Sequence, residues 1–125
     1  IQGDAANLDA LSLFKTTAPF DAILLSNLLC RLSDPEHCLR QFVESNKYLQ
    51  SGGVLVIASP NSWMDMYTDP ENYLDGSDSE ATLAAIGRHL PGFELLHSED
   101  IPFMIREHRR KYEYIISQGS VWRKL

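Results

Sequence analysis

"FDAILLSNLLCRLSDPEHCLRQFVESNKYLQSGGVLVIASP", residues Phe20 to Pro60, reads as strand, helix and strand in that order. Phe20–Asn27 and Val54–Ala58 are short apolar runs that close on polar residues, the pattern of strands buried on both faces of a parallel sheet. Between them Asp34 offers a helix cap and Pro35 a proline at the first helical position. Cys38, Leu39, Phe42, Val43 and Leu49 then recur at helical spacing. Gly52-Gly53 is expected to close that helix. A strand-helix-strand crossover is right-handed and sets its strands parallel, so the stretch predicts half of a doubly wound α/β sheet.

Working outward, a second helix is predicted from about Ser79 to Leu90, with Leu83, Ile86 and Leu90 on one side and Pro91-Gly92 ending it. "FELLHSEDI", from Phe93, resumes as a strand. Tyr112 to Trp122 alternates loosely between bulky and polar residues, and too few residues separate these two runs for a helical crossover. They are expected to pair as an antiparallel hairpin. Trp63 to Gly76, where aromatics interleave with acids and turn formers, predicts an ordered loop after the "VLVIA" strand. The chain shows no internal repeat, and its 125 residues suit a single domain.

The formal charge of -6 argues against nucleic acid as a partner, because phosphate binding needs a concentrated cationic surface. The most apolar runs are far shorter than the roughly 20 residues that span a bilayer, so no membrane partner is expected. Cys30 and Cys38 lack metal-type spacing and read as small buried hydrophobes of a reduced chain. The opening "IQGDAANLDA" has no basic leader or long apolar run, so a cytoplasmic location is expected.

In an open parallel sheet, ligands bind beyond the carboxyl ends of the strands. That rule selects Gly3-Asp4-Ala5, Asn27 to Arg31, Ser59 to Tyr67, and the hairpin bend around Arg106. The bend carries the densest charge of the chain, "REHRRK" from Arg106 to Lys111. Strand alternation sends Arg106 and His108 to one face and Glu107 and Arg109 to the other. The residues alone leave two readings, a site and a solvated charged turn. A metal site is not expected, since adjacent strand side chains diverge and no second histidine has suitable spacing.

In this order, "GDAANL", "FDAILLSNLLCRLSDPEHCL", "LQSGGVLVIASP" and "LPGFELL", with the antiparallel ending, resemble the second half of a class I S-adenosylmethionine-dependent methyltransferase domain. "NLLCRLSDP", "GGVLVIASPNSW", "MYTDPENYLDG" and "DIPFMIREHRRKYEY" followed by "SVW" resemble more closely the C-terminal methyltransferase domain of ovothiol synthases. That resemblance implies a small-molecule substrate, 4-mercaptohistidine, methylated on an imidazole nitrogen. It also implies a Rossmann-like, mostly parallel sheet ending in an antiparallel hairpin, with residues 1–125 forming the C-terminal part of the domain.

The resemblance assigns roles residue by residue. Asp4 and Ala5 would meet the adenine of S-adenosylmethionine, Asn27 its methionine group, and Leu28 would pack on it. Ser59 and Trp63 would lie where the acceptor enters, with Trp63 stacked on its ring. Arg106 would clamp an amino-acid carboxylate, while His108 or Glu107 takes or orients an imidazole proton. Against these stand plainer readings: a turn cap for Asp4, a loop amide for Asn27, core packing for Leu28 and loop packing for Trp63.

One departure matters. The glycine-rich turn that grips the cofactor's methionine end, and the acid that holds its ribose, have no counterpart in this sequence. The chain is therefore expected to lack the first strands of the methyltransferase fold and to bind the cofactor poorly by itself. Two functions from different classes follow: the methyltransferase portion of a larger enzyme, or a truncated, non-catalytic module that forms a homodimer through the sheet edge left open. The same fold acting on a different small acceptor is a third.

Overall fold

A computed structural model describes residues 2–11, 19–75 and 79–125. The main elements are β1 (Phe20–Ser26), α1 (Pro35–Val43), β2 (Leu49–Ser59), α2 (Ser79–Arg88), β3 (Phe93–His108) and β4 (Lys111–Lys124), with 3-10 turns at Leu8–Ala10, Leu29–Arg31 and Pro70–Asn72. They build one sheet in the order β1-β2-β4-β3. β1 runs parallel to β2, from Ala22 opposite Val54 to Ser26 opposite Ala58. β4 lies between β2 and β3 and is antiparallel to both. β1, β2 and β3 thus share one direction, and the expected hairpin is present.

α1 forms where its caps predict. The Asp34 carboxylate accepts from the His37 backbone N–H at 2.8 Å, and Pro35 occupies the first turn. Such a cap contributes on the order of 1 kcal/mol. The helix stops at Val43, however, and Gly52-Gly53 does not close it. Both glycines lie inside β2, with Gly52 at φ +81°. Leu49 opens that strand, and its burial follows strand alternation with Gly53, Leu55, Ile57 and Ser59. Its helical spacing from Phe42 is coincidental.

Cys38, Leu39 and Phe42 of α1 and Ala85 and Ile86 of α2 join Leu25, Leu49, Leu55, Ile57 and Trp122 in one core. Both helices cover the same face. Gly87 of α2 lies so close that a Cβ there would stand 3.3 Å from the Trp122 ring. Lys124, on the same side of β4, donates to the Phe42 carbonyl at the end of α1, at 2.6 Å. The other face is not covered to the same degree: Val54, Val56 and Ala58 are half-buried and Leu24 is 65% exposed. The expectation of strands buried on both faces is therefore met only in part among the described residues, because the far face is as apolar as the core face but only half-covered.

The loop after β2 is tied down. Thr68 donates from Oγ1 to the Leu32 carbonyl at 2.5 Å, and Asn72 from its side chain to the Ser33 carbonyl at 3.2 Å. It includes the 3-10 turn at Pro70–Asn72, while Gly76 lies outside the described residues. Among the described residues no helix is long and apolar enough to cross a membrane.

Candidate functional site

β1 and β2 end side by side. The Asn27 N–H donates to the Ala58 carbonyl at 2.7 Å, extending the ladder by one step. Asn27 then turns the chain at φ +51°, a left-handed conformation that asparagine tolerates better than most residues. Its side-chain oxygen accepts from the Ser117 hydroxyl at 3.1 Å, which fastens the end of β1 to β4. The 3-10 turn that follows buries Leu29 and Cys30 and leaves Arg31 exposed. After β2, the buried Ser59 hydroxyl accepts from the Asn61 N–H at 3.2 Å. Asn61, at φ +53°, points its Nδ2 to Gln118 at 3.4 Å, and its Oδ1 is buried with no hydrogen-bond partner among the described residues.

The hairpin outruns the rest of the sheet. β2 stops where Ser59 meets Gln118, so residues 111–117 of β4 pair only with β3. At about 3.4 Å per residue this makes an arm roughly 20 Å long. The charged run is not the bend: Arg106 to His108 end β3, Lys111 begins β4, and the turn is Arg109-Arg110. A bulge interrupts the pairing between Arg106 and His108, so simple alternation does not carry through the run. The Arg106 guanidinium lies over the Tyr112 ring, 6.0 Å from its centre, and His108 Nδ1 accepts from the Arg110 N–H at 3.2 Å.

The arm also folds over the strand ends. Phe103, Ile105, Glu113 and Ile115 line a cavity of about 160 Å³ together with Asn27, Arg31 and Pro60. Ile105 and Glu113 are directly paired across the strands, as are Arg106 and Tyr112. Alternation places the second pair on the opposite face of the arm, so the cavity does not collect Arg106. Glu107 meets it indirectly. Lys111 lies 2.7 Å from the Glu107 carboxylate and holds its pKa below the ordinary value, with help from a hydrogen bond to Glu113. Glu113 is pushed the other way, by that hydrogen bond and by the charge of Glu107. Of the two carboxyls, Glu113 is the one that keeps a proton more readily.

The sequence points to Glu107 and to the segment Asn27 to Arg31, without giving Arg31 a role of its own, and it does not point to Glu113. The cross-strand register that opposes Glu113 to Ile105 is the missing signal, because nothing local in "KYEY" marks that glutamate.

Asp4 caps its own turn, its carboxylate accepting from the Ala6 N–H at 2.9 Å. That turn is held on α1 by Gln41, which donates to the Ala5 carbonyl at 2.9 Å and accepts from the Leu8 N–H at 3.0 Å. Ala5 and Leu28 come together in a second cavity of about 360 Å³ along β1, with Ala22, Leu24 and Phe42 among its walls. The slot is apolar, and no charged side chain lines it among the described residues. Asn27 belongs to the other cavity. Trp63 is half-buried and stacks on Tyr73 with ring centres 5.7 Å apart. The Tyr73 hydroxyl is bonded to Asp65, which pushes its pKa up to about 12. Among the described residues, none of Ser59, Trp63 and Arg106 lines the cavity under the arm or the one along β1.

No protein-family model matches the chain, and no curated protein does. Solved structures do. A SAM-dependent methyltransferase from Methanosarcina mazei superposes with a TM-score of 0.58 at 15% identity, over 98% of this chain and 65% of that one. A protein studied for the conversion of a disulfide bond into a thioacetal group during echinomycin biosynthesis superposes with a TM-score of 0.60 at 11% identity, over 98% of this chain and 54% of that one. The chain thus spans just over half to about two thirds of the length of these neighbours. Its α/β architecture is similar to part of the S-adenosylmethionine-dependent methyltransferase fold.

Proposed function

We propose that this chain is the C-terminal part of a cytoplasmic S-adenosylmethionine-dependent N-methyltransferase that acts on a small imidazole amino acid such as 4-mercaptohistidine, in ovothiol biosynthesis. The observation that carries the reading is the arm. It folds over the carboxyl ends of β1 and β2 and closes a small cavity against Asn27 and Pro60, at the sheet edge where open α/β folds bind ligands.

When bound, the cofactor supplies an activated methyl group. The chain's own tasks are to hold the acceptor and to manage its ring proton. Ala5 and Leu28 offer an apolar seat for the adenine, Asp4 the turn that carries Ala5, and Asn27 a polar group at the end of β1. In the Glu107–Glu113 pair, biased by Lys111, Glu113 is raised above the ordinary carboxyl value and so accepts a proton more readily than a lone carboxylate. Arg106 and His108 lie farther out on the arm, where they would guard its tip. A glycine-rich segment upstream would complete the cofactor site.

The test is methyl transfer by a longer protein that joins this chain to such a segment, with mass spectrometry of 4-mercaptohistidine after incubation with S-adenosylmethionine. One added methyl on the imidazole is expected. A protein that binds the cofactor yet leaves the thiohistidine unmodified would refute the acceptor.

A specific observation favours a second reading, a non-catalytic interaction or dimerisation module: among the described residues β1 is an end strand of the sheet, and its Leu24 is 65% exposed. Sedimentation of the 125-residue chain separates the two. A concentration-dependent dimer without cofactor binding favours the module.

A further inference from the structure

The cavity under the arm carries two opposite charges that are not paired with each other. Arg31 and Glu113 both line it, with Phe103, Ile115 and Pro60 as apolar walls and Asn27 as the neutral polar group. All the polar contacts of the Arg31 guanidinium run through Nη1: to the Cys30 carbonyl at 3.4 Å, the Ser62 carbonyl at 3.5 Å and the Met64 sulfur at 3.7 Å. Its plane rests on the Tyr67 ring, 4.8 Å from the centre. Stacking and Nη1 contacts fix the guanidinium while leaving its Nε–Nη2 edge without a carboxylate among the described residues. That edge is the one that takes a carboxylate through two parallel hydrogen bonds.

Glu113 is held by Glu107, whose own charge is satisfied by Lys111 at 2.7 Å. It is the carboxyl of the pair left facing the cavity. A volume of about 160 Å³ is below the range of roughly 300–1,000 Å³ usual for drug-sized ligands, so a ligand of amino-acid size fits and a dinucleotide does not.

We propose that this cavity binds a small zwitterion, with its carboxylate on the Nε–Nη2 edge of Arg31, its protonatable nitrogen on Glu113, and its apolar or flat body between Phe103 and Ile115. This rests on the acceptor reading above and moves the carboxylate clamp from Arg106 to Arg31. Every residue involved belongs to this chain, so binding does not await a cofactor site.

The experiment is calorimetric titration of the 125-residue chain with L-histidine, with histidinol, which lacks the carboxylate, and with S-adenosylhomocysteine. L-histidine should bind, and Arg31→Gln should weaken it by about tenfold or more, the loss expected of a charge-assisted bidentate pair. Histidinol should bind weakly and show no response to Arg31→Gln. Glu113→Gln should weaken both ligands and remove the loss of affinity seen as pH falls toward the carboxylate range. Far-ultraviolet spectra and melting curves check that the variants fold.

Absence of L-histidine binding overturns the proposal, as does an Arg31→Gln variant of unchanged affinity or a larger loss in Arg106→Gln than in Arg31→Gln. S-adenosylhomocysteine separates the two readings. L-histidine binding through Arg31 and Glu113 upholds the zwitterion site even if a completed protein never binds the cofactor, whereas cofactor binding with no L-histidine response refutes the site and leaves the methyltransferase reading standing.

Discussion

Lys124 shows what one residue contributes to this fold. It is 6% exposed, yet its ammonium donates to the carbonyls of Phe42 and Ser45 at 2.6 Å each and of Leu49 at 3.4 Å. A cation is thereby placed where α1 ends and β2 begins, on carbonyls that the helix leaves unpaired. Burial lowers its pKa from the ordinary 10.5. The unfolded chain therefore holds this proton to higher pH than the folded protein, and stability rises with pH as the folded-state value is passed. Lys124→Met removes the charge and leaves the carbonyls without a donor, so a loss of about 1–3 kcal/mol is expected at pH 7. Urea denaturation at pH 7 and pH 10 reads both effects. The variant should lose stability at pH 7 and also lose the upward slope toward pH 10, and a neutral result at both values would show that the contacts carry nothing. Cys38 is a simpler case: burial pushes its thiol up to about 12, which fits the small hydrophobe that its place in the sequence suggests.

At the scale of elements, the features legible in the sequence are those with local causes. Asp34-Pro35 announces α1, because capping chemistry acts within one turn, and Pro91-Gly92 marks only the neighbourhood of the second helix's end, which comes at Arg88 rather than at the expected Leu90. The end of α1 was not legible, since Leu49 satisfies helix and strand spacing equally. The length of the arm was not legible either, because nothing in the run from Leu96 to Tyr114 says that β2 stops at Ser59. Nor were the roles of Glu113 and Arg31, which depend on cross-strand register and on the arm bending over the sheet.

Register itself has a local pin. Gly53 sits where the β1–β2 pairing shifts between Phe20 and Ala22. A Cβ there would stand 2.9 Å from the Gln50 carbonyl and 3.0 Å from the Asp21 carbonyl, both backbone atoms that cannot step aside. Gly53→Ala should therefore cost about 1–3 kcal/mol by overpacking. Gly87→Ala meets only the edge of the Trp122 ring at 3.3 Å and gains helix propensity of up to about 1 kcal/mol, so it should cost less. Equal melting temperatures for the two variants would show that the β1–β2 junction yields.

At the scale of the molecule, the face opposite the helices and the outer edge of β1, unpaired among the described residues, pose the remaining physical question. Leu24 is 65% exposed and lines the apolar cavity of about 360 Å³ beside Ala5 and Leu28. A residue that open contributes little to the stability of this chain, so Leu24→Asp should change the unfolding free energy by no more than about 0.5 kcal/mol, as surface substitutions usually do. The proposed methyltransferase reading requires further strands and helices on that edge. In a longer protein that supplies them, the same aspartate would be a buried, unpaired charge, and its cost should rise to several kcal/mol with loss of cofactor binding. The module reading requires instead that a second copy cover the edge, so that Leu24→Asp abolishes a dimer of the 125-residue chain without affecting any ligand. Melting curves of the variant in both proteins, with sedimentation of the short one, therefore read the fate of β1 directly. A small, equal effect in both proteins, with no change in association, would show that neither further strands nor a second copy covers β1.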